Sequence, residues 1–185
     1  MRKTLLLIAV FVSSFGFGQK YVITTDGLKD AENTDRTFLV VKFPGKTNKE
    51  LYDRMVKYAE KNFKAPVTVI KDQVVNESVT LSTNLESFIF IKYMGANTFY
   101  NVKFTTEISF KEGRIKYEVK DFEAGNARLK IPWIATKESQ GYGFYDQTKV
   151  LKMDSEKKKI EDYFENQIIS LTEFLNKKEI QPDAW

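Results

Sequence analysis

The chain has 185 residues, with 29 Lys and Arg against 25 Asp and Glu for a formal net charge of +4, and it has neither cysteine nor histidine. That composition excludes a disulfide, a thiolate or imidazole metal site, a cysteine nucleophile and a Ser-His-Asp triad. Carboxylates, Lys, Tyr, Ser and Thr are left for catalysis, so neither a cofactor nor a metal is expected, and a carboxylate pair is the main enzymatic route still open.

Arg2 and Lys3 precede an apolar run from Leu5 to Phe15, which ends in Gly16-Phe17-Gly18 before Gln19. This is the pattern of a secretory signal peptide over residues 1–18, cut after Gly18. The run is shorter than the roughly 18 to 20 apolar residues that span a bilayer, and no cysteine is present to carry a lipid. Losing Arg2 and Lys3 lowers the formal charge from +4 to +2. The expected product is a nearly charge-balanced periplasmic or secreted protein with no transmembrane segment in the mature chain.

Residues 19–36 mix Thr, Asp, Asn and Lys around Gly27 and read as a mobile arm or a loosely held first strand. A single domain is expected over 37–178, with a short tail at 179–185. Its first strand is Thr37-Phe38-Leu39-Val40-Val41-Lys42-Phe43, closed by Pro44-Gly45. The near-continuous apolar character suggests a central rather than an edge position.

Thr47-Asn48-Lys49-Glu50 has the form of a capping box. Leu51, Met55, Tyr58, Ala59 and Asn62 then recur at helical spacing, with Tyr52, Val56 and Phe63 beside them, until Ala65-Pro66. From 67 to 122 the period changes to two, predicting strands at 67–75, 77–83, 87–93, 98–111 and 114–122. In the last pair Tyr100, Val102, Phe104, Thr106, Ile108 and Phe110 alternate with polar residues, and Glu112-Gly113 turns the chain into Ile115, Tyr117 and Val119. One wet and one buried face follow.

Residues 124–153 form a long connection without regular period, carrying Trp133 and the run Gly141-Tyr142-Gly143-Phe144-Tyr145. A second helix is predicted over 155–177, N-capped by Ser155, with a stripe of Ile160, Phe164, Ile168, Leu171 and Leu175. The order β-α-β(4–5)-α gives an α+β fold in which two helices cover one face of a single antiparallel sheet.

Val41-Lys42-Phe43-Pro44-Gly45-Lys46-Thr47-Asn48-Lys49-Glu50-Leu51-Tyr52, Val67-Thr68-Val69-Ile70 and the strand from Arg114 to Phe122 together resemble a bacterial domain of unknown function. That family has a TATA-binding-protein-like fold and is common in exported proteins of Bacteroides-type bacteria. The resemblance spans about 38–122 and implies the architecture. It transfers no active-site residue.

Two features stand out as candidate binding sites. The wet face of the hairpin presents Lys103, Glu107 and Lys111 on one strand and Arg114, Lys116, Glu118 and Lys120 on its neighbour in an alternating charge lattice, which either holds an acidic glycan, peptide or envelope partner, or simply solvates the sheet. The connection offers Trp133, Tyr142, Phe144 and Tyr145, which either stack on a ligand or cover the sheet as core. The charge balance argues against nucleic acid, whose binding needs a concentrated excess of Arg and Lys. A non-catalytic binding module is the expected function. The alternative is a carboxylate-dependent hydrolase of an envelope or dietary polymer, with Asp121 and Glu123, or Glu161 and Asp162, as acid pairs.

Overall fold

The computed structural model describes residues 19–63, 69–93 and 96–177. The leader at 1–18, the Ala65-Pro66 helix stop, the first residues of the strand expected from Val67, and the tail at 179–185 lie outside them. Two short strands, β1 (Tyr21–Thr24) and β2 (Gly27–Asp30), form an antiparallel hairpin. They precede β3 (Phe38–Lys42), helix α1 (Asn48–Asn62), β4 (Ile70–Val74), β5 (Ser78–Tyr93), β6 (Ala96–Lys111), β7 (Arg114–Gly125), β8 (Lys130–Ile131) and helix α2 (Asp154–Asn176).

Strands β3 to β8 make one six-stranded sheet with the order β3-β7-β6-β5-β4, and β8 pairs with the far end of β7. Every pairing in it is antiparallel. The α+β reading with two helices on one sheet face therefore holds, with the β1–β2 hairpin as a small second sheet.

The two-residue alternation does what the sequence requires. Tyr100, Val102, Phe104, Ile108 and Phe110 of β6, with Ile115 and Tyr117 of β7, are buried, and they meet the helices. Phe104 lies edge-on to Phe164 of α2 at 5.0 Å, and Tyr52 of α1 lies edge-on to Phe110 at 5.8 Å. The Tyr58 hydroxyl of α1 donates to Ser170 of α2 at 3.2 Å. A cavity of about 20 Å³ remains among Tyr58, Thr106, Tyr117, Tyr163 and Gln167, room for about one water molecule.

Helix α1 begins as the sequence dictates. Thr47 accepts from the Glu50 N–H at 3.1 Å, and the Glu50 carboxylate accepts from the Thr47 N–H at 2.8 Å. Helix α2 differs. Its N-cap is Met153 with no side-chain cap, and the Ser155 hydroxyl instead donates to Glu156.

Three other expectations are corrected. Of the two readings of residues 19–36, the strand holds and the mobile arm does not, because Tyr21 and Ile23 of β1 are fully buried. The Tyr21 hydroxyl donates to the Tyr117 carbonyl at 2.8 Å, its ring lies edge-on to Phe164, and the Ile23 N–H donates to Glu161 of α2 at 2.6 Å. The hairpin thus belongs to the helical layer. Strand β3 is an edge strand, not a central one. Its apolar run is continuous because Leu39 faces the core, while Phe38, on the other face, lies under the Lys116 ammonium at 5.5 Å. The strands expected at 77–83 and 87–93 are one long β5, whose register shifts between Leu85 and Ile89, with Ser87 at a positive φ of 51°.

Candidate functional site

The sheet face turned away from the helices carries, in paired rows, Phe38, Val40 and Lys42 of β3 opposite Glu118, Lys116 and Arg114 of β7. Ser109 and Lys111 of β6 pair with Lys116 and Arg114, and Ser78, Thr80, Ser82 and Asn84 of β5 complete the face. The described helices pack on the opposite side, against Phe104 and Phe110. The middle of the uncovered face is polar because every second residue over 78–84 of β5, 101–111 of β6 and 114–120 of β7 is Ser, Thr, Asn or charged.

Lys103, Glu107, Lys116 and Glu118 share this face, and three of them form one ion-pair network. Lys116 contacts Glu118 at 2.8 Å, and Lys120 bridges Glu107 at 2.6 Å and Glu118 at 3.8 Å. Glu107 and Glu118 stand directly opposite each other, so Lys120 relieves a like-charge pair. Burial pushes the Glu118 carboxyl up. Lys116, the Thr37 hydroxyl and Lys120 outweigh burial and hold it below the usual carboxylate range. An acid of that kind is ionised at neutral pH and is no proton donor for hydrolysis. Lys103 lies further along β6, opposite Glu123 and Asn84, and is exposed.

A shallow groove of about 390 Å³ opens on this face at the β3–β7–β6 end, among Phe38, Val40, Ser109, Lys111, Arg114 and Lys116. Lys42 of the edge strand pairs with Arg114, one of its lining residues. Sequence reading puts Lys111 and Arg114 in the wet-face lattice but misses that Lys42 joins them in a basic corner. Its signal is the placement of Lys111 and Arg114 on either side of the Glu112-Gly113 turn, which brings both onto the same face as Lys42. At the other end of the sheet, the β5–β6 hairpin runs past its neighbours and exposes a cross-strand pair, Phe90 at 47% and Phe99 at 54%, with ring centroids 6.4 Å apart.

The aromatic connection is packed inward. Trp133 stacks on Phe122 at 4.7 Å and approaches Phe144 at 5.6 Å. Phe144 is fully buried and has no surface to offer a partner. The Tyr145 hydroxyl donates to the Ile23 carbonyl at 2.8 Å, tying the connection to β1, and Tyr142 is half-buried against the core. A register shift in the β6–β7 ladder, with Asp121 at a φ of 51°, moves Phe122 and Ala124 onto the helix side to meet these rings. Asp146 holds the following turn. Its carboxylate accepts from the Thr148 hydroxyl at 2.6 Å and the Val150 N–H at 3.0 Å, which with Lys152 hold its carboxyl far below the usual range.

The acidic pairs are committed elsewhere. Asp121 accepts from the Thr105 hydroxyl at 2.9 Å, and Glu123 pairs with Lys130. Glu161 accepts from the Ile23 N–H and pairs with Lys157, and Asp162 pairs with Lys158. Among the described residues no three acidic side chains cluster as a metal would need, and no helix is long and apolar enough to cross a membrane.

Two helices over one face of an antiparallel sheet, with the opposite face uncovered, define a TATA-binding-protein-like domain. Residues 38–124 match the model of the family described as a domain of unknown function (DUF4468) with TBP-like fold. Two solved structures share the fold. One is a DUF4468 family protein from Bacteroides ovatus, 13% identical, with a TM-score of 0.56, covering 78% of this chain and 88% of that one. The other is a TBP-like protein from Parabacteroides distasonis, also 13% identical, with a TM-score of 0.52, covering 77% of this chain and 92% of that one. No curated protein matches the chain.

Proposed function

We propose that this protein is a non-catalytic binding module, exported to the periplasm or beyond, whose uncovered sheet face receives a protein partner. One observation carries the reading. The described helices and the β1–β2 hairpin all lie on one side of the six-stranded sheet, which leaves the other side, with its groove, open. Export rests on the charged, apolar and small-residue pattern of 1–18. The aromatic connection supports the fold rather than the contact, since Phe144 and Trp133 spend their surface on each other and on Phe122.

The hydrolase reading loses its support, because the acidic side chains named for it are held by Thr105, Lys130, Ile23, Lys157 and Lys158. A near-balanced charge lattice on the open face disfavours nucleic acid.

The test is capture from envelope extract of the host by immobilised protein beginning at Gln19, using wild type, a Thr80→Arg/Ser82→Arg variant on the open face, and Glu165→Arg on α2. A retained protein that is lost with the open-face variant and kept with Glu165→Arg is the expected result. Retention by all three forms alike contradicts the reading.

A further inference from the structure

The open face is not uniform, and its β3 end combines two features that call for the same ligand. The first is charge. At this end of the face the ion pairs among the described residues join Lys116 and Lys120 to Glu107 and Glu118. They leave out Lys111 and Arg114, which line the groove, and Lys42, which stands opposite Arg114 in the strand register, and all three are exposed. Glu112, in the turn between Lys111 and Arg114, is exposed as well.

The second feature is backbone. Strand β3 is the edge of the sheet. The Phe43 N–H donates inward to the Gly113 carbonyl at 2.8 Å, and inward-facing residues alternate along an antiparallel strand. Leu39 and Val41 therefore bond to β7, while the N–H and C=O groups of Phe38, Val40 and Lys42 point out along the free edge. The side chains of those same three residues lie on the open face.

From this combination we propose, building on the open-face reading above, that the β3 edge pairs with an extended acidic peptide segment of the partner protein. The added strand runs antiparallel to β3 and carries acidic side chains at every second position. Residues opposite Phe38, Val40 and Lys42 turn their N–H toward β3 and their side chains onto the open face. There an acid meets Lys42 directly, and Arg114 and Lys116 from one strand further in, about 5 Å beyond β3. The intervening positions face the helix side and favour apolar residues beside Leu39 and Val41. A glycan or a free polyanion satisfies the charge and leaves the strand edge unused, which is why a peptide fits better.

The experiment uses fluorescence anisotropy with the protein from Gln19 onward and a labelled peptide of alternating Glu and Val, capped at both ends. Two further peptides carry N-methyl groups on the Glu residues or on the Val residues, and a sulfated oligosaccharide serves as competitor. Expected are saturable binding, at least a tenfold loss for the Lys111→Glu/Arg114→Glu variant, a similar loss when Glu nitrogens are methylated, and little change when Val nitrogens are methylated. These exposed substitutions leave the thermal midpoint unchanged, which separates lost binding from lost fold. Equal binding of both methylated peptides, or of the charge-reversed variant, overturns the proposal, and so does tight sulfated-oligosaccharide binding with no peptide binding. If the peptide fails while envelope capture still depends on Thr80 and Ser82, the edge proposal alone falls and the open-face reading stands.

Discussion

Replacing Phe144 by Ala separates a core role for the aromatic connection from a recognition role. The ring is fully buried, lies 5.6 Å from Trp133, and hangs on a backbone whose carbonyl accepts from the N–H groups of Lys152 and Met153. Deleting a buried phenyl ring costs about 3–5 kcal/mol, a large share of the roughly 5–15 kcal/mol that holds a domain of this kind together. At about 2–4 °C per kcal/mol for a chain of this size, the thermal midpoint falls by roughly 6–20 °C. Far-UV circular dichroism of wild type, Phe144→Ala and the half-buried Tyr142→Ala measures it, with the Tyr142 variant shifting much less. Well below its lowered midpoint, Phe144→Ala retains partner capture. A Phe144→Ala protein that melts within about 2 °C of wild type and fails to capture the partner refutes the core assignment.

Gly143→Ala is expected to be at least as damaging, since an added Cβ would lie 2.4 Å from the Ala135 nitrogen and 2.9 Å from the Ile134 carbonyl carbon. Backbone must move to admit it, at about 3 kcal/mol or more, and an unshifted urea midpoint contradicts the packing described. Alkali tests the tyrosines over the sheet. Burial, with a smaller contribution from Tyr58, pushes Tyr163 from 10.0 up to about 12, so its phenol is more protonated in the folded chain than in the unfolded one. Its share of stability is complete below pH 10 and is lost as pH rises toward 12. Urea midpoints measured from pH 8 to pH 11.5 therefore fall for wild type and fall less steeply for Tyr163→Phe, and identical slopes would show that Tyr163 is not buried as placed.

Much of the architecture was legible because it rests on local patterns. The alternation through Tyr100–Phe110 and Ile115–Val119 gave both sheet faces, and Thr47 with Glu50 gave the start of α1. What escaped depends on contacts distant in sequence. Lys20 to Asp30 has no strong period, and only Tyr117, Phe164 and Glu161, more than 90 residues away, reveal that Tyr21 and Ile23 are core. Strand β3 looks central because Phe38 is sheltered by Lys116 rather than by a neighbouring strand. The charge lattice on the wet face was readable as a lattice. Lys111 and Arg114 belonged to that lattice, but their union with Lys42 was not readable, because it arises only when β3 docks beside β7 and brings Lys42 to Arg114.

The uncovered sheet face as the contact surface is tested most directly by site-specific photo-crosslinking in the host, with a photoreactive residue at Ser82 or Ser109 on that face, or at the half-buried Glu165 of α2. Adducts to one protein from Ser82 and Ser109, and none from Glu165, are the predicted result. Adducts from Glu165 with none from the two sheet positions would move the contact to the helical layer and contradict the reading.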